Sequence, residues 1–266
     1  MPRPTLPEGH ALQTFAEIDS TNAEALRQAG REVTGPAWFV ADRQTSGRGR
    51  QGRAWSSPAG NLHATLLLGI EGALRQTTEL AFLAALAVHA TAARLIGDPD
   101  PSPRLALKWP NDLLLEGAKV AGILIETVWT NRLAPRAVAI GFGLNLACHP
   151  VAMSYPATHL GLHGATAGRD EALEELARQW DCWHRTWIDK GFDPIREAWL
   201  ARAQGIGSTV AVTLPEGPVH GVFTGIEQDG ALVLSMTDGK RRRILAGDLF
   251  LNQRAPLVAA AKVSGP

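Results

Sequence analysis

The chain has 266 residues, 45% of them hydrophobic and 20% charged, which suits one large globular domain or a large one beside a small one. Lysine plus arginine and aspartate plus glutamate both number 26, a balance that argues against a general nucleic-acid binder while leaving room for a local basic patch. The only cysteines, Cys148 and Cys182, form neither a disulfide framework nor a CxxC metal site and read as buried free thiols in a reducing compartment. The N-terminus lacks the apolar run of a signal peptide, and no stretch approaches the roughly 18 apolar residues that span a bilayer. The expected location is the cytoplasm, with no membrane contact.

In chain order, a first helix is expected over Asn22–Ala29, with Thr21 and Glu24 as a T-x-x-E capping box and Gly30 closing it. Ala37–Ala41 reads as a short buried strand, and Arg43–Asn61, rich in Gly, Arg and Ser, as a loop or irregular hairpin. Leu62–Ile70 is a buried strand. Thr78–Ile96 is a long helix stopped by Gly97. Four further strands are expected at Leu105–Trp109, Leu113–Leu115, Val120–Glu126 and Ala137–Gly141, with Leu113–Glu126 a hairpin turning at Glu116–Gly117. Glu171–Asp189 is helical, and Trp180, Trp183 and Trp187 fall at helical spacing, a core seam rather than a cofactor box. After Gly205 come short strands at Val210–Leu214, Gly221–Ile226, Leu232–Ser235 and Arg242–Leu245. They are separated by Pro-Glu-Gly, Gln-Asp-Gly and Thr-Asp-Gly turns, the pattern of a small β-barrel of about 50 residues.

Three constellations carry candidate chemistry. In Gly47-Arg48-Gly49-Arg50-Gln51-Gly52-Arg53, followed by Trp55, the glycines allow positive φ and the arginines offer planar forks for phosphate or carboxylate oxygens. A solvated loop or an RNA-binding arm fits this spacing as well as an anion site does. Without an anion the three arginines repel one another, so a mobile loop is expected. In Lys108-Trp109-Pro110-Asn111-Asp112, Pro110 breaks the strand and presents Asn111 and Asp112 in a tight turn. Lys119 stands at the mouth of an apolar strand, where Gly122 allows close approach to a ligand; a snorkelling surface lysine is the plain alternative. Third, Gly141-Phe142-Gly143-Leu144-Asn145 clears space at a strand end and offers an amide to a nucleobase or ribose, although an ordinary strand-to-loop turn has the same pattern.

Taken together, Asp19-Ser20-Thr21-Asn22, Arg43-Gln44-Thr45, GRGRQGRAW, Ser57-Pro58 with Gly60-Asn61-Leu62, KWPND, KVAGILIE and GFGLNL occur in an order that resembles the catalytic core of biotin–protein ligases over Glu17–Leu146. The resemblance implies an α+β fold, a mixed and largely antiparallel sheet packed with helices as in class II synthetases, over residues 1–204. A small SH3-like barrel and tail would occupy 205–266. It implies ATP, with Mg²⁺ as part of the substrate complex, and biotin as substrates. It further implies a biotin carboxyl carrier domain as acceptor, and a monomer or homodimer. Ser20, Thr21, Asn22 and Gln44 would contact the biotin ring. Gly47, Arg48 and Arg50 would form the loop over its carboxylate, with Gly122 beside it. Arg50, Arg53, Trp55, Lys108, Asn111 and Asn145 would face the nucleotide, and Lys119 would bridge the carboxylate and the α-phosphate. Asp112 is the expected group to orient or deprotonate the acceptor amine, against a turn-capping role.

Three departures from the family pattern stand out. No helix-turn-helix precedes Glu17, so DNA is not an expected partner. His63 stands where a larger aromatic or apolar residue is expected. The C-terminal arginine of some relatives has only a loose counterpart in Arg241–Arg243. A lipoate ligase would carry an R-R-x-G-G-G-type stretch in place of GRGRQGR, and an RNA-binding module has no use for KWPND.

Overall fold

The computed structural model describes residues 4–29, 35–70, 74–129, 135–151 and 155–251. Strand β1 (Ala11–Ile18) leads to helix α1 (Thr21–Gln28), then β2 (Ala37–Gln44), β3 (Leu62–Gly69) and helix α2 (Leu74–Leu95). Strands β4 (Leu105–Lys108), β5 (Asp112–Leu115), β6 (Ala118–Trp129) and β7 (Pro135–Leu144) follow, then helices α3 (Arg169–Lys190) and α4 (Phe192–Leu200). The last strands are β8 (Thr209–Leu214), β9 (Gly217–Ile226), β10 (Leu232–Ser235), β11 (Arg241–Ile244) and β12 (Asp248–Leu251).

The first seven strands form one mixed sheet in the order β1-β2-β3-β7-β6-β5-β4, parallel only at β1–β2. The remaining five form an antiparallel sheet in the order β11-β10-β9-β8-β12. This is the α+β arrangement expected. Strand β1, helix α4 and strand β12 come in addition to the expected elements. The turn at Glu116–Gly117 is as expected: both residues have positive φ, 51° and 83°, the pair that a tight hairpin requires. Gly97 ends α2 at φ 74°.

Period-two alternation divides the large sheet. On β7, Val138, Ile140, Phe142 and Leu144 enter the main core, which they share with α2, α3 and α4. Ala137, Ala139, Gly141 and Gly143 face the other way, and Ala137 and Ala139 pack with Ala25 and Ala29 at α1 and with Phe39 and Leu67. The small side chains let α1 lie close on this face. Where α1 begins, the face holds Thr65 opposite Gly141 and His63 opposite Gly143.

Several expectations need correction. Ser20, not Thr21, caps α1: its backbone is extended and its hydroxyl accepts the Ala23 N–H. Glu24 turns instead to Arg27 and Gln28. Gly30 lies outside the described residues. The thiols are free, but neither is buried: Cys148 is half-buried and Cys182 exposed. Residues Thr77–Leu95 of α2 are long and apolar enough to cross a bilayer, against the expectation of no such run, yet 78% of the most apolar window is buried within the protein. Trp180 is buried, while Trp183 and Trp187 pack half-buried against the core.

Candidate active site

A cavity opens on the α1 face, with about 750 Å³ of empty space including its open mouth. The start of α1 supplies Ser20, Thr21 and Asn22, and the end of β2 supplies Gln44. The arginine loop brings Arg48, Arg50, Arg53 and Trp55, and the β4–β5 turn brings Asn111 and Asp112. Strand β6 contributes Lys119 and Gly122. Twelve of the residues expected from the sequence therefore meet in one place.

Lys119 and Gly122 would point to opposite faces of a regular strand, being three residues apart. A β-bulge resolves this: Leu113 faces Ala121 and Leu114 faces Lys119, so Val120 is an extra residue and Lys119 joins the cavity face. Its Nζ lies 2.7 Å from Asp112 Oδ1, with both side chains about one-sixth exposed. The Trp55 and Tyr155 rings flank the ammonium at 5.3 Å each. Asp112 is the first residue of β5 rather than part of the tight turn, which ends at Asn111.

Glycines form the floor. A Cβ on Gly143 would stand 2.4 Å from Trp55 Cε2, one on Gly122 3.0 Å from Trp55 Cζ3, and one on Gly141 2.2 Å from Asn22 Oδ1. These glycines supply space, not a strand-end turn: β7 continues through both Gly141 and Gly143. Gly47 acts similarly, because a Cβ there would meet Ser57 Oγ and Trp55 O at 2.5 Å. Of the loop's three glycines only Gly52 has positive φ, and Gln51 shares that conformation at φ 55°.

The loop's charges are countered within the protein, contrary to the expectation of unrelieved repulsion. Arg48 pairs with Glu126 at 3.0 Å, and Arg53 pairs with Asp248. Arg50 Nη1 lies 3.6 Å from Asp248 Oδ1 and 3.4 Å from both Asn111 Oδ1 and the Gly247 carbonyl. Burial lowers the Arg50 pKa, against the raising effect of Asp248. Asp248 sits on β12, so the second sheet supplies a carboxylate where the family resemblance implies an arginine. Arg241, Arg242 and Arg243 are instead paired on the second sheet with Glu227, Glu216 and Asp229.

Three expected residues lie outside the cavity lining. Gly47 is packed against Ser57 and the Trp55 carbonyl. Lys108 places Nζ 4.8 Å over the Phe250 ring, and burial lowers its pKa. Asn145 is buried and donates Nδ2 to the Thr158 carbonyl, and it lines an adjoining recess with Trp55, Lys119, Pro150 and Tyr155. Tyr155 and Asp248 have no signal in the sequence, because nothing local marks a lone residue in a loop or on a late strand, and Glu126 stands at the end of KVAGILIE with nothing local to give it a role.

His63 is buried beneath the loop rather than in the cavity, and its Nε2–H donates to the Pro58 carbonyl at 3.0 Å. Its Nδ1 is buried without a partner, and burial lowers its pKa below 6.5. The neutral ring is thus favoured in the folded state, and the unfolded chain binds the proton first. The stability His63 contributes is complete above pH 6.5 and declines as the pH falls below it. A His63→Gln variant should show a shallower fall of Tm between about pH 7 and 5 than the wild type. Parallel Tm–pH curves would refute this assignment.

A cavity with hydrogen-bonding amides and hydroxyls at one end and Lys119, Arg50 and Arg53 at the other suits a ligase that holds two anions side by side. Residues 15–145 match the model for the biotin/lipoate A/B protein ligase family, and residues 205–251 match that for the biotin protein ligase C-terminal domain. The chain is 42% identical to the biotin–[acetyl-CoA-carboxylase] ligase of Paracoccus denitrificans over 242 residues, 89% of this chain and 98% of that one. It is 31% identical to the bifunctional ligase/repressor BirA of Bacillus subtilis, over 88% of this chain and 72% of the relative. The biotin protein ligase of Aquifex aeolicus, solved with biotin and ATP, matches with a TM-score of 0.74 at 27% identity, over 91% of this chain and 98% of that one. The chain belongs to the biotin/lipoate A/B protein ligase family.

Proposed function

We propose that this chain is a biotin–protein ligase, which activates biotin with ATP and transfers it to a lysine of a biotin carboxyl carrier domain. The observation that carries the reading is the division of one cavity along β6. Lys119 stands at one end of the strand segment and Glu126, beside Asn22, at the other, seven residues or roughly 20 Å of extended chain apart. The Asn22 end, with Ser20, Thr21 and Gln44, presents neutral hydrogen-bonding groups for a urea-like ring. The Lys119 end gathers cations for a carboxylate and phosphates.

In the first step the biotin carboxylate attacks the α-phosphorus of ATP, and pyrophosphate leaves. Lys119 bridges the two reacting anions and Arg50 covers the carboxylate side, while Arg48 lies farther along the cavity, where it pairs with Glu126. Gly122 lets the ligand approach the strand. Arg53, Asn111 and Lys108 serve the phosphate side, while Trp55 and Asn145 frame the recess for the adenosine. Among the described residues no group of three or more His, Cys, Asp or Glu converges, so we place Mg²⁺ with the ATP phosphates as part of the substrate. In the second step the acceptor amine attacks the anhydride carbonyl and AMP leaves. Asp112, already facing one ammonium, is placed to orient that amine.

The catalytic domain would end at residue 204. Residues 202–204 still pair with Leu107 of β4, whereas β8 opens the second sheet at Thr209. The enzyme would work in the cytoplasm as a monomer or homodimer.

The deciding experiment is pyrophosphate exchange into ATP with biotin or lipoate as the acid. Exchange that needs biotin and ignores lipoate supports the proposal; exchange driven by lipoate, or by neither acid, overturns it. A second expectation concerns the loop. Asp248 counters Arg50 and Arg53, so Asp248→Asn should speed tryptic cleavage at Arg48–Arg53 in the free enzyme. Biotin plus ATP should protect both forms, because bound anions replace the lost counter-charge. Equal cleavage with and without ligands would rule out a ligand-ordered loop.

A further inference from the structure

Neither Glu126 nor Thr65 is assigned a contact with biotin or ATP above, yet one connected series of polar contacts passes through both. It starts on the arginine loop, where Arg48 Nη2 donates to Glu126 Oε2 at 3.0 Å. The same oxygen accepts from Asn22 Nδ2 at 2.9 Å, and the Leu124 carbonyl also accepts from that nitrogen at 3.3 Å. Asn22 Oδ1 accepts from the Thr65 hydroxyl at 2.6 Å, which lies 2.8 Å from Thr21 Oγ1. The Thr21 N–H donates to Gln44 Oε1, Gln44 Nε2 donates to Ser57 Oγ, each at 2.8 Å, and the Ser57 hydroxyl donates to the Trp55 carbonyl at 3.2 Å. The series therefore leaves the loop at Arg48 and returns to it at Trp55.

Glu126 is the only charged acceptor in this series. An ionised carboxylate accepts and cannot donate, so it dictates the orientation of the Asn22 amide. A flipped amide would set oxygen against the Glu126 carboxylate and an N–H₂ group against the Thr65 hydroxyl, which now donates. Asn22 is buried and sits over Gly141, whose missing Cβ leaves its oxygen room, so it has little freedom to turn aside. Thr65 is fully buried behind it.

We propose that Glu126, supported by Thr65, is a positioning residue for the adenylation reaction. It fixes the Asn22 amide at the ring end of the cavity and holds Arg48 through the same oxygen. Occupation of the ring end and ordering of the arginine loop are thereby coupled, and the coupling is reciprocal. This rests on the biotin-ligase reading of the site.

The test compares wild type, Glu126→Ala, Glu126→Gln and Thr65→Val in biotin-dependent pyrophosphate exchange, with tryptic cleavage of the loop measured in parallel with and without biotin. Glu126→Ala leaves Asn22 Nδ2 with only the longer contact to the Leu124 carbonyl and takes the acceptor from Arg48, and the KM for biotin should rise roughly ten- to hundredfold. Its kcat at saturating biotin and its KM for ATP should stay within about twofold, since the reacting atoms keep their partners. Glu126→Gln keeps an acceptor for Asn22 but drops the charge facing half-exposed Arg48, so its KM for biotin should rise less than about fivefold. Biotin should nevertheless protect its loop less than in wild type. Thr65→Val removes the hydroxyl at near-constant volume, should raise the KM for biotin selectively, and keeps the proposal testable if Glu126→Ala does not fold. KM values for biotin unchanged in every folded variant, or a uniform loss across kcat and both KM values, would overturn the proposal. A wild type that shows no biotin-dependent exchange would instead overturn the functional reading beneath it.

Discussion

Replacing Lys119 with alanine should lower biotin-dependent pyrophosphate exchange by about a thousandfold, the scale on which a group that stabilises transition-state charge acts. The reason lies in what surrounds the ammonium. It pairs with Asp112 at 2.7 Å and is flanked by the rings of Trp55 and Tyr155, in a largely enclosed site where charges are weakly screened. As the carboxylate oxygen nears the α-phosphorus, two anions converge on the point Lys119 faces. Without the lysine, the Asp112 carboxylate remains there alone and adds a third negative charge. Restoring neutrality with Asp112→Asn in the Lys119→Ala background should therefore recover substrate KM but not kcat. The fold should survive, because the links from Lys119 to Pro156 and Thr158 are made by its backbone. Near-normal exchange in Lys119→Ala with an unchanged Tm would refute the assignment, and a kcat restored by the second substitution would show that Asp112 repulsion alone caused the loss.

How far the sequence discloses this site depends on the kind of information each residue carries. The arginine loop and KWPND are contiguous, so their chemistry is visible as text. The phase of a strand is not. Lys119 and Gly122 share a face only because of the bulge at Val120, and no composition rule marks that residue. Gly141 and Gly143 have the pattern of a turn because glycine is the usual punctuation of loops. In the structure they continue the small-residue row begun by Ala137 and Ala139, leaving room for Asn22 and Trp55. Read at period two, AVAIGFGL contains that alternation. T-x-x-E gives Thr21 the pattern of a helix cap, but Ser20 one residue earlier has the extended backbone a cap needs. The carboxylate on the loop arginines is the least legible feature. Asp248 is 195 residues from Arg53, and only the packing of the second sheet against the loop brings them together.

Replacing Arg50 with glycine should produce a different failure from loss of Lys119: the adenylate forms but escapes. Arg50 begins the short helical turn of the loop and ties it to both sheets, with Nη1 near Asn111 on one side and near Asp248 and the Gly247 carbonyl on the other. Burial disfavours its charge, so an anionic ligand within reach gains a partially desolvated cation as partner. Glycine removes that cation and adds backbone freedom where the loop must stay closed over a reactive anhydride. Lys119, Asp112 and the recess beside Asn145 are untouched, so the first step proceeds. One lost charge-assisted hydrogen bond is worth about 1.5–3 kcal/mol, which corresponds to adenylate release roughly ten- to a hundredfold faster. Released adenylate acylates any accessible lysine. The measurement is the dissociation rate of biotinyl-adenylate from each enzyme, together with biotin incorporation into albumin in the presence of biotin and ATP. Arg50→Gly should label albumin well above wild type while keeping biotin-dependent pyrophosphate exchange. If exchange persists but release and albumin labelling match wild type, the clamp lies elsewhere, and Arg50 serves only to tie the loop to Asp248.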